Sequence, residues 1–407
     1  MKILGIESSC DETAAAVVED GFCLLSNVVA TQIDIHAEYG GVVPEIAARS
    51  HIEAINPVIE KALRDASCTW DDIDAIAVTY APGLVGSLLV GTLAARTLAV
   101  AHNKPLYPIH HVEAHVYANF IIEQSALLEP QLVLPSKQPA FPMLALIVSG
   151  GHTQLVLFRD HGDYELLGQT QDDAVGEAFD KVAKIIGLPY PGGVSIDRAA
   201  PDGDPHKYQF PKARLTCKHV GPHAGMTGKK ALSGAASRID RYGERAAQSL
   251  TPPGAQDVCH HYDFSFSGLK TAVLRAVQAD VGKDFTFPSH ELSGLLTAKQ
   301  RNDFAASFQR VAIETLVDKT EAAYREYAPA SVVIAGGVAA CQLLRDELRD
   351  RLPISIEYAP MKLCTDNAAM IATLGYFYAK KVPPADPYSL EVVPSLSMTH
   401  TAWAKES

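Results

Sequence analysis

No stretch of this chain is both long and uncharged enough to read as a membrane-spanning helix. The best candidate, 84–101, carries Arg96 and many small residues, which predicts a buried helix packed closely on a sheet. Cysteine is sparse and unpatterned: seven residues (10, 23, 68, 217, 259, 341, 364), odd in number and without a Cys-x2-Cys pair. That excludes a zinc ribbon and fits a reducing compartment. Positive charge is also short, with a net charge of −12, so a generally basic nucleic-acid binder is excluded, though a local basic face is not. Residues 1–7 meet a carboxylate at Glu7, too early for the apolar region of a secretory signal, and lack the Arg/Ser-rich character of a transit peptide. A soluble, cytoplasmic protein with no membrane association is expected.

What is present is enough for two domains: 407 residues, 47% of them apolar. Two segments echo each other. Residues 2–19 read strand, polar turn, strand, and so do 143–159; a third strand-like run follows each, at 22–29 and 164–171. After the first copy the periodicity predicts helices over 44–66, 86–102 and 111–123 and strands over 73–80 and 105–109. After the second it predicts helices near 174–187, 266–280, 299–326, 337–351 and 366–380, with a strand over 331–335. Two hairpin-led α/β halves with a phosphate-type turn in each predict a duplicated ribonuclease-H-like, two-lobed fold of the actin, Hsp70 and sugar-kinase type, with a nucleotide cleft between the lobes. The expected division is an N-terminal lobe over 1–123, a Pro-containing linker over 124–140, a C-terminal lobe over 141–380 and a Pro-rich tail over 381–407 that orders only by docking. Between 205 and 260 nine Lys/Arg face three Asp/Glu, a locally basic insertion in an acidic chain.

His111 and His115 are four apart, so on a helix their side chains share one face and can hold one metal ion. Asp366, in Thr365-Asp366-Asn367, can supply a carboxylate as third ligand if it turns inward; Thr365 or Asp366 can equally be the N-cap of the helix it opens. The first hairpin turn, Ser8 to Thr13, offers hydroxyls and the carboxylates Asp11 and Glu12. The second, Val148-Ser149-Gly150-Gly151-His152, pairs glycines whose amides can approach an anion closely, although Gly-Gly also suits a hairpin turn for conformational reasons alone. Asp173, Glu177 and Asp180 fall near one helix face, able to accept from a ribose or to sit as a solvated face beside Lys181 and Lys184. Gly192-Gly193 and Gly336-Gly337 permit close backbone approach or simply tight packing.

These motifs, with Gly40 to Glu45, Ala81 to Gly86, Gly176 to Lys181, Asp263 to Lys270 and Cys364 to Asn367, resemble the TsaD family of tRNA adenosine threonylcarbamoyltransferases, once labelled O-sialoglycoprotein endopeptidases. The resemblance covers nearly the whole chain apart from roughly 213–260 and the tail. It implies transfer of a threonylcarbamoyl group from threonylcarbamoyl-adenylate to N6 of adenosine 37 in tRNAs reading codons that begin with A. It implies one divalent metal on His111, His115 and Asp366, iron(II) with zinc or magnesium as alternatives. It also implies an adenylate site of Val148, Ser149, Gly150, Gly151, His152, Asp180, Gly193, Asp197 and Cys341, with Asp11 and Glu12 near the transfer chemistry. Implied partners are tRNA, a paralogous TsaB-like dimerisation partner and a TsaE-like ATPase. One departure stands out: where the family usually has Asn, this chain has Cys341, whose thiol donates and accepts only weakly.

Rival readings are a metalloprotease, a small-molecule phosphotransferase of the same fold and a non-enzymatic regulatory paralogue. In a zincin the Glu directly follows the first His; here Glu113 lies about 200° around the helix from His111, away from any shared metal. The His pair is foreign to the kinases. The full metal trio counts against the paralogue.

Overall fold

In a computed structural model, residues 1–126, 128, 131–213, 261–356 and 358–398 are described. Most of the basic insertion, 214–260, and the end of the tail therefore lie outside the described residues. Six strands form the first sheet: β1 (Lys2–Glu7), β2 (Glu12–Glu19), β3 (Cys23–Thr31), β4 (Ala75–Ala81), β5 (Leu106–His110) and β6 (Glu123–Gln124), in the order β5-β4-β1-β2-β3-β6. The second sheet has β7 (Met143–Val148), β8 (Thr153–Asp160), β9 (Asp163–Gln169) and β10 (Ser331–Ala335), in the order β10-β7-β8-β9. In each, the opening strand pairs antiparallel with the next and parallel with a later one, β1 with β4 and β7 with β10. The run β4-β1-β2-β3 is thus repeated as β10-β7-β8-β9, and the duplicated ribonuclease-H-like architecture expected from the paired hairpins is present.

The helices of the first half are α1 (Ile33–Ala37), α2 (Pro44–Asp65), α3 (Val85–Ala101) and α4 (His111–Tyr117). Those of the second are α5 (Val175–Ile186), α6 (Gly192–Ala199), α7 (Ser267–Asp280), α8 (Ser289–Leu292), α9 (Ala298–Tyr327), α10 (Gln342–Arg351), α11 (Met361–Cys364) and α12 (Ala368–Lys381). Strand alternation divides the first sheet's side chains between two cores. Leu4, Ile6, Ala15, Val17, Ile76 and Val78 face α2 and α3, whereas Ile3, Ala14, Ala16, Ala75 and Ala77 join a core shared with α12 and the second half.

That second face is built of small residues, and α12 lies close against it. Sequence order places this helix in the C-terminal lobe (141–380), yet it packs on β1, β2, β3, β4 and β5. A Cβ added to Gly5 would stand 2.3 Å from the Ala368 carbonyl and 2.7 Å from the Ala372 amide, and one on Gly375 would stand 2.5 Å from Ala77 Cβ. Helix α4, buried throughout, touches α12, β5, β7 and β10 and so lies where the halves meet.

Three helix boundaries differ from expectation. The helix over 111–123 ends at Tyr117 and continues as a 3₁₀ turn over Ala118–Phe120, in which Asn119 Nδ2 donates to the carbonyls of Val116 and Ile334 (3.2 Å each). The helix over 337–351 is a 3₁₀ turn, Gly337–Ala340, followed by α10, with extended backbone at Cys341 between them. The last helix starts at Ala368 because Asn367 caps it, accepting from the Met370 amide at 3.2 Å. The tail is docked as far as it is described. Arg96 donates to the carbonyls of Pro387 (2.5 Å), Tyr388 (2.8 Å) and Leu390 (3.2 Å), and His110 Nε2 reaches the Leu396 carbonyl at 3.1 Å. The five described cysteines are free, and among the described residues no helix is long and apolar enough to cross a membrane.

The Gly5–α12 contact is backbone against backbone, so it cannot be relieved by a rotamer change. Gly5→Ala is expected to destabilise the protein by roughly 1–3 kcal/mol, read as a lower midpoint in thermal unfolding; an unchanged midpoint would mean that α12 slides freely on β1.

Candidate metal centre at the carboxyl ends of the strands

In open α/β sheets, functional groups gather outside the carboxyl ends of the parallel strands. Here β1 ends at Glu7, β5 at His110 and β7 at Val148, so each hairpin turn and the start of α4 follow the carboxyl end of a strand. His110 ends β5 and caps α4, accepting from the Glu113 amide at 3.4 Å. His111 and His115 follow on one face of that helix, their rings 4.7 Å apart and nearly perpendicular.

Because Asn367 has taken the capping role, Asp366 turns inward. Its Oδ1 lies 3.5 Å from His111 Nε2 and 3.2 Å from His115 Nε2, and one donor atom from each of the three residues lies within 4.8 Å of the others. His115 is buried, and among the described residues neither ring nitrogen has a hydrogen bond of good geometry, Asp366 Oδ1 merely standing 3.2 Å from Nε2. Such an orphan is costly, and a cation on Nε2 would satisfy it; two imidazoles and a carboxylate therefore fit a transition-metal ion. Glu113 faces the other way, with the Tyr378 hydroxyl 3.5 Å from Oε2, so the arrangement of a zincin is absent.

His111 is held from behind. Its Nδ1 is 3.0 Å from Glu7 Oε2 and 3.1 Å from Ser9 Oγ. Burial disfavours charge on this ring, but Glu7 and Asp366 outweigh it and push its pKa up to about 9. Burial likewise opposes ionisation of Asp366, and His111 and His115 beside it bring it well below the usual carboxylate range. His152, in the second turn, is pushed down to about 4 by burial and then by the nearby His111, His110 and His115. Strand β7, which leads into the Val148–His152 turn, packs against α4, the helix that carries His111 and His115.

The turn itself is tight at its base and open at its tip. The Ser149 amide donates to the His152 carbonyl (2.8 Å), the His152 amide donates to Ser149 Oγ (3.1 Å), and a Cβ on Gly176 or Gly336 would strike the turn's backbone. Among the described residues nothing lies within 4 Å of a Cβ built on Gly150 or Gly151, which are exposed.

The acidic helix face expected at 173–180 is only partly present: Asp173 lies in the bend before α5, where Lys181 (2.8 Å) and Lys270 (2.7 Å) take it, and Glu177, on the helix, is taken by Lys181 (2.7 Å). Asp180 remains, its Oδ1 accepting from the Gly192 amide at 2.7 Å. Burial, then Glu177 and Asp11, raise its pKa against that hydrogen bond. Gly193 and Asp197 stand one turn apart on α6, and Asp197 Oδ1 accepts from Gln309 Nε2 (2.8 Å) and from the Cys341 thiol (3.4 Å). Burial and then Asp197 push that thiol up to about 12, so it is a neutral donor. Asp11 is buried at the first turn, and Glu12 beside it is pushed up to about 10 by burial and then by Asp366 and Asp11.

Ser9 belongs to the hydroxyl turn noted in the sequence, but no motif singles out Glu7 or Thr79, whose hydroxyl donates to Glu7 Oε2 at 2.5 Å. The one available signal was a carboxylate closing an otherwise apolar strand. The Asp263–Lys270 motif is structural: Asp172 accepts from the Phe266 and Ser267 amides and from the Ser265 and Ser267 hydroxyls, and Asp263 from the Gln169 amide.

Fold and site together define a duplicated two-lobed α/β protein that sets a His₂Asp trio beside a glycine-tipped turn. The family model described as TsaD, tRNA N6-adenosine threonylcarbamoyltransferase, matches residues 23–231 and 225–373, and the chain belongs to that family. A Thermomicrobium roseum protein named tRNA N6-adenosine threonylcarbamoyltransferase is 45% identical over 393 residues, 95% of this chain and 94% of its own. One of the same name from Symbiobacterium thermophilum is 45% identical over 399 residues, 97% and 96% of the two chains. Among solved structures, full-length HypF in its phosphate- and nucleotide-bound form aligns at a TM-score of 0.48 and 11% identity, over 93% of this chain and 46% of that one.

In the metal-free protein His111 is an imidazolium below about pH 9. A divalent ion seated on Nε2 must displace that proton, so affinity rises as pH climbs from 7 towards 9, by up to ~10-fold per unit. Chelator competition at pH 7, 8 and 9 reads this directly; a flat profile would mean that the ring is already neutral at pH 7.

Proposed function

We propose that this protein transfers the threonylcarbamoyl group from threonylcarbamoyl-adenylate to N6 of adenosine 37 in tRNAs reading codons that begin with A, and that it does so with one divalent metal ion on His111, His115 and Asp366. The observation that carries this reading is the inward turn of Asp366 onto the His pair, beside the open Gly150-Gly151 tip, in a chain related to TsaD transferases along nearly its whole length. When bound, the ion supplies a Lewis acid for a carbonyl or phosphoryl oxygen. Two imidazoles and a carboxylate suit iron(II) or zinc better than magnesium, which takes oxygen ligands.

The protein's own residues account for the rest. The free amides at Gly150 and Gly151 approach the phosphate without Cβ obstruction. Asp180 and Asp197 accept from the ribose hydroxyls, Gly193 leaves room for the nucleoside, and Cys341 lies at its edge. Adenosine 37 enters splayed out of the anticodon loop, as single-stranded RNA bases do. Its N6 attacks the carbamoyl carbon, the bond to the adenylate oxygen breaks, AMP leaves and N6 loses a proton. In this reading Asp11 takes that proton, and Glu12 lies beside it at the same turn. The exocyclic amine is a poor nucleophile, so positioning carries much of the rate.

Two helices of the first half leave apolar side chains uncovered: Ile52 on α2 and Val85, Leu89, Leu93 and Val100 on α3, with Ile52 63% and Leu93 52% exposed. A paired-helix face of this kind fits a paralogous TsaB-like partner, with a TsaE-like ATPase joining the assembly in the cytoplasm.

Two measurements test these assignments. His115→Ala and Asp366→Ala are each expected to lose both bound metal and tRNA modification while staying folded, read by metal analysis and by nucleoside analysis of tRNA; full metal content in Asp366→Ala would remove that residue from the ligand set. Leu89→Asp with Leu93→Asp is expected to abolish co-elution with the paralogue and leave the thermal midpoint within a few degrees of wild type. Retained co-elution would move the interface elsewhere.

A further inference from the structure

We infer that Glu7 is the positioning residue of the metal centre: its buried carboxylate holds the proton of His111 on Nδ1, so that Nε2 is the ligand nitrogen, and it ties the first hairpin turn to that ligand. The inference rests on the metal reading above. Glu7 closes β1, whose other buried residues are apolar, and is itself 0% exposed. Burying a carboxylate costs several kcal/mol unless donors surround it, and here three do. The Ser9 amide donates to Oε1 at 2.5 Å, the Thr79 hydroxyl to Oε2 at 2.5 Å, and His111 Nδ1 lies 3.0 Å from Oε2.

The geometry has a chemical consequence. An ionised carboxylate only accepts, so the hydrogen shared between Glu7 and His111 must be the ring's, on Nδ1. Once the ring gives up its second proton, as metal binding requires, the lone pair lies on Nε2, the nitrogen that faces Asp366. Carboxylate partners of this kind fix ligand tautomer and ring orientation and raise ligand basicity. Among the described residues His115 Nδ1 has no such support, so the pair is asymmetric and orientation of the centre falls on His111. Glu7 reaches the turn as well, through the Ser9 amide, while Ser9 Oγ lies 3.1 Å from the same His111 nitrogen. The turn carrying Asp11 and Glu12 is therefore registered to the metal ligand by one carboxylate.

The test uses the full chain with cobalt(II) and zinc as probes. Cobalt(II) affinity, measured by chelator competition with its visible spectrum as signature, is expected to fall 10–100-fold in Glu7→Gln, with cooperative thermal unfolding retained. In zinc-loaded, ¹⁵N-histidine-labelled wild-type protein, His111 is expected to show metal-bound Nε2 and protonated Nδ1, a readout that needs no variant and stands if Glu7→Gln does not fold. Equal cobalt affinity in wild type and Glu7→Gln, or zinc on His111 Nδ1, overturns the role of Glu7 alone. Cobalt binding to wild type no tighter than to His111→Ala overturns the metal reading itself.

Discussion

The structure depends on one close packing, that of α12 against the small-residue face of the first sheet. Gly5, Ala14, Ala16, Ala75 and Ala77 give that face almost no relief, and the helix backbone reaches van der Waals contact with the strand at Gly5. Asp366 lies two residues before α12. Where the helix rests on β1 therefore determines whether its carboxylate meets His111 and His115. Residues more than 250 positions apart in the chain become one cluster because a glycine and a few alanines leave room for a helix.

The duplication supplies the second half of the site. Each copy opens with a strand whose carboxyl end leads into a turn, and the copies carry different chemistry there: carboxylates and hydroxyls after β1, paired glycines after β7. Electrostatic coupling runs between them, with His152 feeling the imidazoles of α4, Glu12 feeling Asp366 and Asp180 feeling Asp11. Such mutual influence requires a short separation in a poorly solvated region. Burial and these neighbours move the groups in opposite senses, His152 and Asp366 downward and Glu12 upward.

The C-terminal tail shows how an extended, Pro-rich segment becomes ordered without forming an element of its own. Arg96 on α3, the charge that argued against a membrane span, gathers three tail carbonyls, and further along His110 reaches the Leu396 carbonyl. Burial keeps that histidine largely neutral, its pKa pushed down to about 4. The tail is thereby joined to the residue that caps α4, immediately before His111.

Local pattern settled much of this in advance. The paired hairpins, the buried character of 84–101, the i,i+4 spacing of His111 and His115 and the opposite facing of Glu113 all follow from periods of two and 3.6 residues, which any window of sequence displays. The glycines of the second turn and the family motifs were equally legible. Tertiary structure decided what depends on neighbours distant in the chain. It assigned the cap to Asn367 and so released Asp366, neutralised Asp173 and Glu177 with lysines, turned Cys341 onto Asp197, and surrounded Glu7 with three donors. The physical reason is the same in each case. A carboxylate or thiol in sequence carries only its chemistry, whereas its role is set by which donors, charges and backbone groups the fold brings within hydrogen-bond reach, and those come from other strands and helices.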